Sequence, residues 1–356
     1  MSGRRAQVTV SARAGFALPA VLTLLAVLTL VFMAGIAAMA SLRREARAAL
    51  DGAEFQRAAM TAEAHAAYLV STEPLAEDRV RVGGQRVASS GGLAGDVSAT
   101  SGVPLQLDDR PYLWVAPDNH RRYAVSLQDG AGLMNLNYSR PDALMRLFAK
   151  VGTSQMEAQT LRDQLLDYID SDSNRLPYGG EGPEYASVGK PPPPNAPMPR
   201  LQDVFGVLDW PRVITAVRWR AMSPFLSADA QSKSFNVNTA PSVVLQIVLN
   251  LTPAQADQII VQRKQTPITN LTQIGLPAGD AANSYTKPNG RFRFTFIDPI
   301  RQTVYRSAIA LSPDDNARPL RISDVDMGKL SPDRLAVLRG SNAVPLPDPL
   351  NRPSGS

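Results

Sequence analysis

The sequence predicts an α+β fold. A long N-terminal helix crosses a membrane and continues as a spine. An α/β domain with antiparallel strands follows, and a large all-helical domain is inserted into it. Three observations carry this reading. An apolar run of 25 residues without a charge, Phe16–Ala40, leads directly into an alanine-rich helical pattern. Period-two segments occur both early and late in the chain. Between them, from about residue 133, the periodicity is helical.

Taken as a helix, the apolar run reaches ~38 Å, enough to cross a ~30 Å hydrocarbon layer. Arg4, Arg5 and Arg13 precede it, and Arg43, Arg44 and Arg47 follow. The short leading segment is expected on the cytoplasmic side, with the large C-terminal part outside the inner membrane. Three processing outcomes compete. A signal peptide would be cut near Ala40, after the run. A plain anchor would keep Met1. A third pattern is a basic leader ending at Gly15-Phe16, cut before the run. In that case Pro19 falls in the first helical turn, where amides lack intrahelical partners anyway.

The helical pattern continues through LRREARAALDGAEFQRAAMTAEAHAAYLVS, with no proline until Pro74. It predicts one helix of roughly 55 residues. Leu42, Ala46, Ala49, Ala53, Met60, Ala64 and Ala67 are expected to form its packing stripe. Residues 79–90 read as a hairpin around Gly83-Gly84, and 112–115 and 123–128 as strands. A cluster of helices follows: Pro141–Lys150 with Ser139 as cap, Thr153–Asp170, and one through Leu201, Val204, Phe205 and Leu208. The proline-rich stretch 171–200, including Pro191–Pro194, is a long loop. Thr239-Ala240-Pro241 starts another helix, and Thr252-Pro253-Ala254-Gln255 is a capping box that starts the next. RFRFTFI (291–297) and residues 303–312 pair as strands through Asp298-Pro299. The resulting division is a leader at 1–15, a membrane helix at 16–42, an α/β domain from 43–132 and 285–340, the inserted helical domain at 133–284, and a flexible tail at 341–356.

Composition narrows the chemistry. There are no cysteines, which excludes disulfides, thiolate chemistry and iron–sulfur clusters. His65 and His120 are the only histidines, too few for a histidine-rich metal centre. The net charge is +5, of which three charges lie in the first fifteen residues, leaving +2. A nucleic-acid-binding domain normally concentrates more positive charge. No G-x-S-x-G elbow and no phosphate-binding G-x-x-x-x-G-K-[ST] loop occurs, so no enzyme class finds support.

The leader GFALPAVL, with Asp129–Asn137 (DGAGLMNLN), the run Asp167–Asp172 followed by Gly179-Gly180-Glu181 and Tyr185, and Phe235–Pro241 (FNVNTAP), resembles the K-type minor pseudopilins of the bacterial type II secretion system, the general secretion pathway protein K family. The resemblance covers nearly the whole chain. It implies a pilin-like α/β domain on a spine helix, and cleavage by prepilin peptidase between Gly15 and Phe16 with N-methylation of Phe16. Ala20 stands where most pilins carry glutamate, a departure K-type members share. The implied role is a tip complex with the I-type and J-type minor pseudopilins that starts or caps a periplasmic pseudopilus. The implied surroundings are inner-membrane lipid on a single-pass anchor and no nucleic acid.

Two candidate sites remain. Asp167, Asp170, Asp172, Glu181 and Glu184 crowd one helix end and loop. Hard cations take several oxygen ligands from such loops, and calcium is the metal this donor set suits. The family's association with calcium points the same way, to a structural ion, with Asp170, Asp172 and Glu181 the foremost ligands. The alternative is a solvated acidic surface. FNVNTAP and its two helices also resemble a helix-hairpin-helix DNA-binding module, the rival function. There the turn Asn250-Leu251-Thr252-Pro253 lacks glycine, and Arg263 and Lys264 are the only basic residues within 236–264.

Overall fold

Helix α1 runs from Ala17 to Thr72, 56 residues, with Pro19 in its first turn. The computed structural model describes residues 17–84, 87–88, 97–98, 102–277, 285–312, 318–340 and 343–348. The chain divides into two units, residues 1–58 and 59–356. In the first unit every described residue is helical. The helix is long and apolar enough to cross a membrane.

In the second unit, the last turns of α1 bury Ala59, Ala62, Glu63, Ala66, Ala67, Leu69 and Val70. This corrects the expected stripe. Of its members only Ala67 is buried, while Leu42, Met60 and Ala64 are exposed. Alanines on every face leave the helical phase undetermined, and steps of seven drift away from a 3.6-residue period. Ala59, Ala62, Ala66 and Val70 keep the true spacing of three and four.

The sheet has five antiparallel strands in the order β7-β6-β5-β4-β3. These are β3 (Tyr112–Val115), β4 (Arg122–Asp129), β5 (Arg291–Asp298), β6 (Thr303–Leu311) and β7 (Leu320–Lys329). The β5–β6 hairpin turns at Asp298, whose Oδ1 accepts from the amides of Ile300 and Arg301 at 2.9 and 3.0 Å. Phe292, Phe294 and Phe296 are almost wholly buried, and Phe296 packs on Trp114 and Tyr123. A separate two-stranded ribbon joins β1 (Arg79–Val82) to β2 (Val103–Gln106). The expected hairpin around Gly83-Gly84 is therefore corrected. Val80 and Val82 need an apolar partner strand, and Leu105 supplies it, whereas residues 85–90 offer one valine.

Strand β7 and helix α9 (Pro332–Gly340) were not anticipated. Nine of the ten β7 residues are exposed, and its apolar pairs Leu320/Ile322 and Val325/Met327 change phase across Asp324, so no single period-two run marks it. Its ladder to β6 is interrupted by a bulge at Arg306–Ala308, opposite Asp324, which has φ 53°. At the other side of the sheet, part of the expected tail is docked. The Leu113 amide donates to Val344 O, and the Leu346 amide to Leu113 O, both at 2.8 Å. Leu346 is buried there.

Glu63 of α1 is the one carboxylate that this helix buries among the described residues. Tyr305 Oη donates to both of its oxygens at 3.1 Å, and Ser307 Oγ donates to Oε1. This fixes α1 in register on β6. Glu63→Ala is expected to cost about 2–4 kcal/mol in urea unfolding, because it strands two buried hydroxyls. Glu63→Gln is expected to cost less.

Between β4 and β5 the chain forms a helical block around its own core. It contains α2 (Pro141–Lys150), α3 (Gln155–Ile169), α4 (Gly182–Ser187), α5 (Trp210–Val213), α6 (Ala216–Met222), α7 (Ser242–Leu249) and α8 (Pro253–Gln265). Helix α3 starts at Gln155 rather than Thr153, and Ser154 caps it through a box with Glu157. The Ser139 hydroxyl is taken by Asn135 O, so α2 starts on Pro141 without a side-chain cap. Met156, in the first turn of α3, is exposed. The segment at Leu201–Gly206 is a 3-10 helix rather than an α-helix. Trp210 anchors the core, donating to Leu161 O at 3.1 Å and meeting Phe148 edge-on at 5.5 Å.

Candidate functional site

Two of the sequence motifs meet at the end of β4. Asp129 is fully buried. Its Oδ1 accepts from the Ala131 amide at 3.1 Å, and its Oδ2 from Asn236 Nδ2 at 2.8 Å and Thr239 Oγ1 at 2.9 Å. Asn236 Nδ2 also reaches Glu77 O, and the Asn236 amide donates to Ala131 O at 2.7 Å. A Cβ on Gly132 would lie 2.5 Å from Thr239 Oγ1, so only glycine lets the two segments approach. Asn238 pins a further loop, exchanging hydrogen bonds with the backbone of Ile268 at 2.8 Å each way. Burial pushes Asp129 up to about 6, against the pull of its donors. DGAG and FNVNTAP thus form one joint between sheet and helical block.

The acidic loop is the candidate metal site, and its five carboxylates have different duties. Asp167, at the end of α3, is fully buried and accepts from the Leu176 amide at 3.1 and 3.3 Å. A Cβ on Gly179 would stand 1.9 Å from Asp167 Oδ2, which accounts for that glycine. Glu184 is engaged with Arg175 and with the Glu181 amide, each at 2.9 Å. Asp172 is exposed, and its Oδ1 caps the Asn174 amide at 2.7 Å. Asp170 and Glu181 differ. Asp170 Oδ1 and Glu181 Oε1 are buried with no hydrogen-bond partner. Burial, reinforced by neighbouring carboxylates, pushes both upward.

A residue absent from the sequence reading completes this group. Asn195 lies beside Glu181, with φ 46°, and its Oδ1 is a third buried oxygen without a partner. Its Nδ2 is held by Asp172 O at 2.5 Å. Among the described residues no three carboxylates or histidines stand close enough to hold a metal by themselves. The unsatisfied set is instead two carboxylates and an amide, all oxygen donors. That fits a hard cation completed by backbone carbonyls or water, and it suits no soft metal.

The rival site behaves differently. Arg263 is 6 % exposed, and its Nη1 donates to Val237 O at 2.7 Å and Ala240 O at 2.6 Å. Its guanidinium is part of the FNVNTAP scaffold rather than of a surface. The α7–α8 turn is closed by Asn250 in a left-handed conformation, in the place of a phosphate-binding glycine. Gly15 and Phe16, the expected processing site, lie outside the described residues.

Comparisons with known proteins agree with one another. Two family models described as type II secretion system protein K match residues 125–230 and 235–290. The boundary between them falls just before FNVNTAP. The type II secretion system protein K of Pseudomonas aeruginosa is 28 % identical over 238 residues, spanning 60 % of this chain and 67 % of that protein. In the crystal structure of the GspK-GspI-GspJ complex from the enterotoxigenic Escherichia coli type 2 secretion system, one chain superposes with a TM-score of 0.52 at 15 % identity. The match covers 80 % of this chain and 99 % of that one, and it shows a shared fold. Over residues 125–230 and 235–290 the chain is thus similar to the type II secretion system protein K family.

Proposed function

We propose that this chain works at the tip of the type II secretion pseudopilus, starting or capping it together with I-type and J-type minor pseudopilins, for export of folded proteins across the outer membrane. The role is one of assembly and not of catalysis. The observation that carries it is α1, a 56-residue helix whose first half is apolar enough to span a bilayer and whose last turns belong to the folded body. The solved relative crystallised with its I and J partners adds support. In this reading the anchor crosses the inner membrane once and the body is periplasmic. Prepilin peptidase cuts after Gly15, and Phe16 becomes the methylated first residue. Intact mass and N-terminal sequencing of protein from inner membranes test this. A chain beginning at Phe16 with one added methyl is expected. A chain retaining Met1, or one cut near Ala40, would overturn it.

The acidic loop is proposed as a structural calcium site, with Asp170, Glu181 and Asn195 as side-chain ligands and Asp172 at its rim. Asp167 and Glu184 shape the loop from behind. A bound cation would supply positive charge where two buried carboxylates repel each other, pinning the proline-rich segment to α3. Calcium titrated into metal-free protein is expected to raise Tm by several degrees, and Asp170→Asn with Glu181→Gln to abolish the rise. An unchanged Tm in the unsubstituted chain would end the idea. DNA binding has less support, since Arg263 is consumed internally. A low-salt gel shift is expected to show no retardation.

A further inference from the structure

The uncharged run ends at Leu42, and three guanidinium groups follow at once, Arg43, Arg44 and Arg47. At 100° per residue they lie within an arc of about 100° on one side of α1, and Glu45 falls on the other side. The Glu45 carboxylate faces Ser41 Oγ at 3.4 Å. Residues 41–50 are all exposed. Among the described residues Arg43 and Arg47 have no hydrogen-bond or ion-pair partner, and Arg44 reaches only Ala40 O, at 3.2 Å. Asp51 falls in the same arc one turn beyond Arg47, yet among the described residues no ion pair engages any of the three arginines.

Their position excludes a topogenic role. Basic residues orient a span by staying on the cytoplasmic side, and these lie on the side of the body, where they oppose that bias. The length of the run explains what they meet. Residues 17–40 give a helix of about 36 Å against a hydrocarbon layer of ~30 Å, so the excess carries the chain into the headgroup layer. Long arginine stems reach further along the surface. The ligand at that depth is a phosphodiester, which a guanidinium fork grips through two parallel hydrogen bonds. A zwitterionic headgroup brings its own ammonium, and an anionic one does not.

We propose that Arg43, Arg44 and Arg47 form a binding face for anionic glycerophospholipid headgroups in the leaflet on the C-terminal side of the span. This rests on the reading of α1 as a membrane anchor. The absence of cysteine makes Leu42→Cys a unique labelling site in the full chain. A fluorophore there, in mixed vesicles of phosphatidylethanolamine and phosphatidylglycerol, reports on its lipid neighbours. Equal mole fractions of a headgroup quencher are placed on one lipid or the other. Quenching through phosphatidylglycerol is expected to exceed that through phosphatidylethanolamine about threefold or more, and to fall as salt is raised. In the R43Q/R44Q/R47Q chain the ratio is expected to drop to about one. A ratio near one in the unsubstituted arginine set, or enrichment unchanged by the triple substitution, would overturn the proposal. Absence of quenching by either lipid would instead overturn the anchor reading, and the proposal with it.

Discussion

Asn236→Ala should lower the stability of the body by about 3 kcal/mol or more, read as a loss of Tm and of urea midpoint. The side chain donates to Asp129 Oδ2 and Glu77 O and accepts from the Asn238 amide at 3.0 Å. Removing it takes one of three donors from a wholly buried carboxylate and leaves a backbone carbonyl and a backbone amide without this partner. Each buried group left unpaired costs about 1–3 kcal/mol, and more when it is charged. The same joint imposes a pH dependence. Asp129 has a native value of about 6, above its ordinary value of 3.8. The native state therefore holds that proton more tightly than the unfolded chain does. Its contribution is fully present below about 4 and is lost as pH rises through about 6, a change on the order of 3 kcal/mol. As pH rises through that window the unsubstituted chain is expected to lose Tm relative to Asp129→Asn, whose side chain does not titrate. A difference independent of pH would show that Asp129 is ionised throughout.

Trp210→Ala should be comparably severe, at about 3–5 kcal/mol, without touching the sheet. Trp210 is the largest wholly buried side chain, and it ties α5 to α3 through Leu161 O and to α2 through Phe148. Its removal opens a cavity and leaves that carbonyl unpaired. The helical block is expected to loosen first, with early exchange of the α3 and α5 amides. Trp210→Phe keeps most of the volume and is expected to lose about 1–2 kcal/mol.

Much of this was legible in the sequence because strong local signals agreed with tertiary packing. The length of α1, the β5–β6 hairpin and the Thr252 capping box were of this kind. The packing stripe was not, since alanine satisfies every face of a helix equally. Strand β7 escaped because it is exposed on both faces, and its charged residues look like a loop. Within the candidate metal site, Asp170 and Glu181 stood out by charge, but Asn195 did not. It sits in a proline-rich stretch, and an amide announces nothing until the fold sets it beside Glu181 with its oxygen unpaired. DGAG and FNVNTAP were visible as motifs. That they touch, across more than 100 residues, is a property of the folded body and not of either segment.

The docked C-terminal segment has a consequence for assembly. Val344 and Leu346 take the hydrogen-bonding positions of Leu113 on the outer side of β3, while β7 keeps its outer backbone groups exposed. A sheet open at both rims can be relayed from one molecule to the next without limit. Here the molecule's own chain already pairs with one rim at Leu113, so the two rims differ. A neighbour pairing along β7 would not find the same free backbone at Leu113 on the far side.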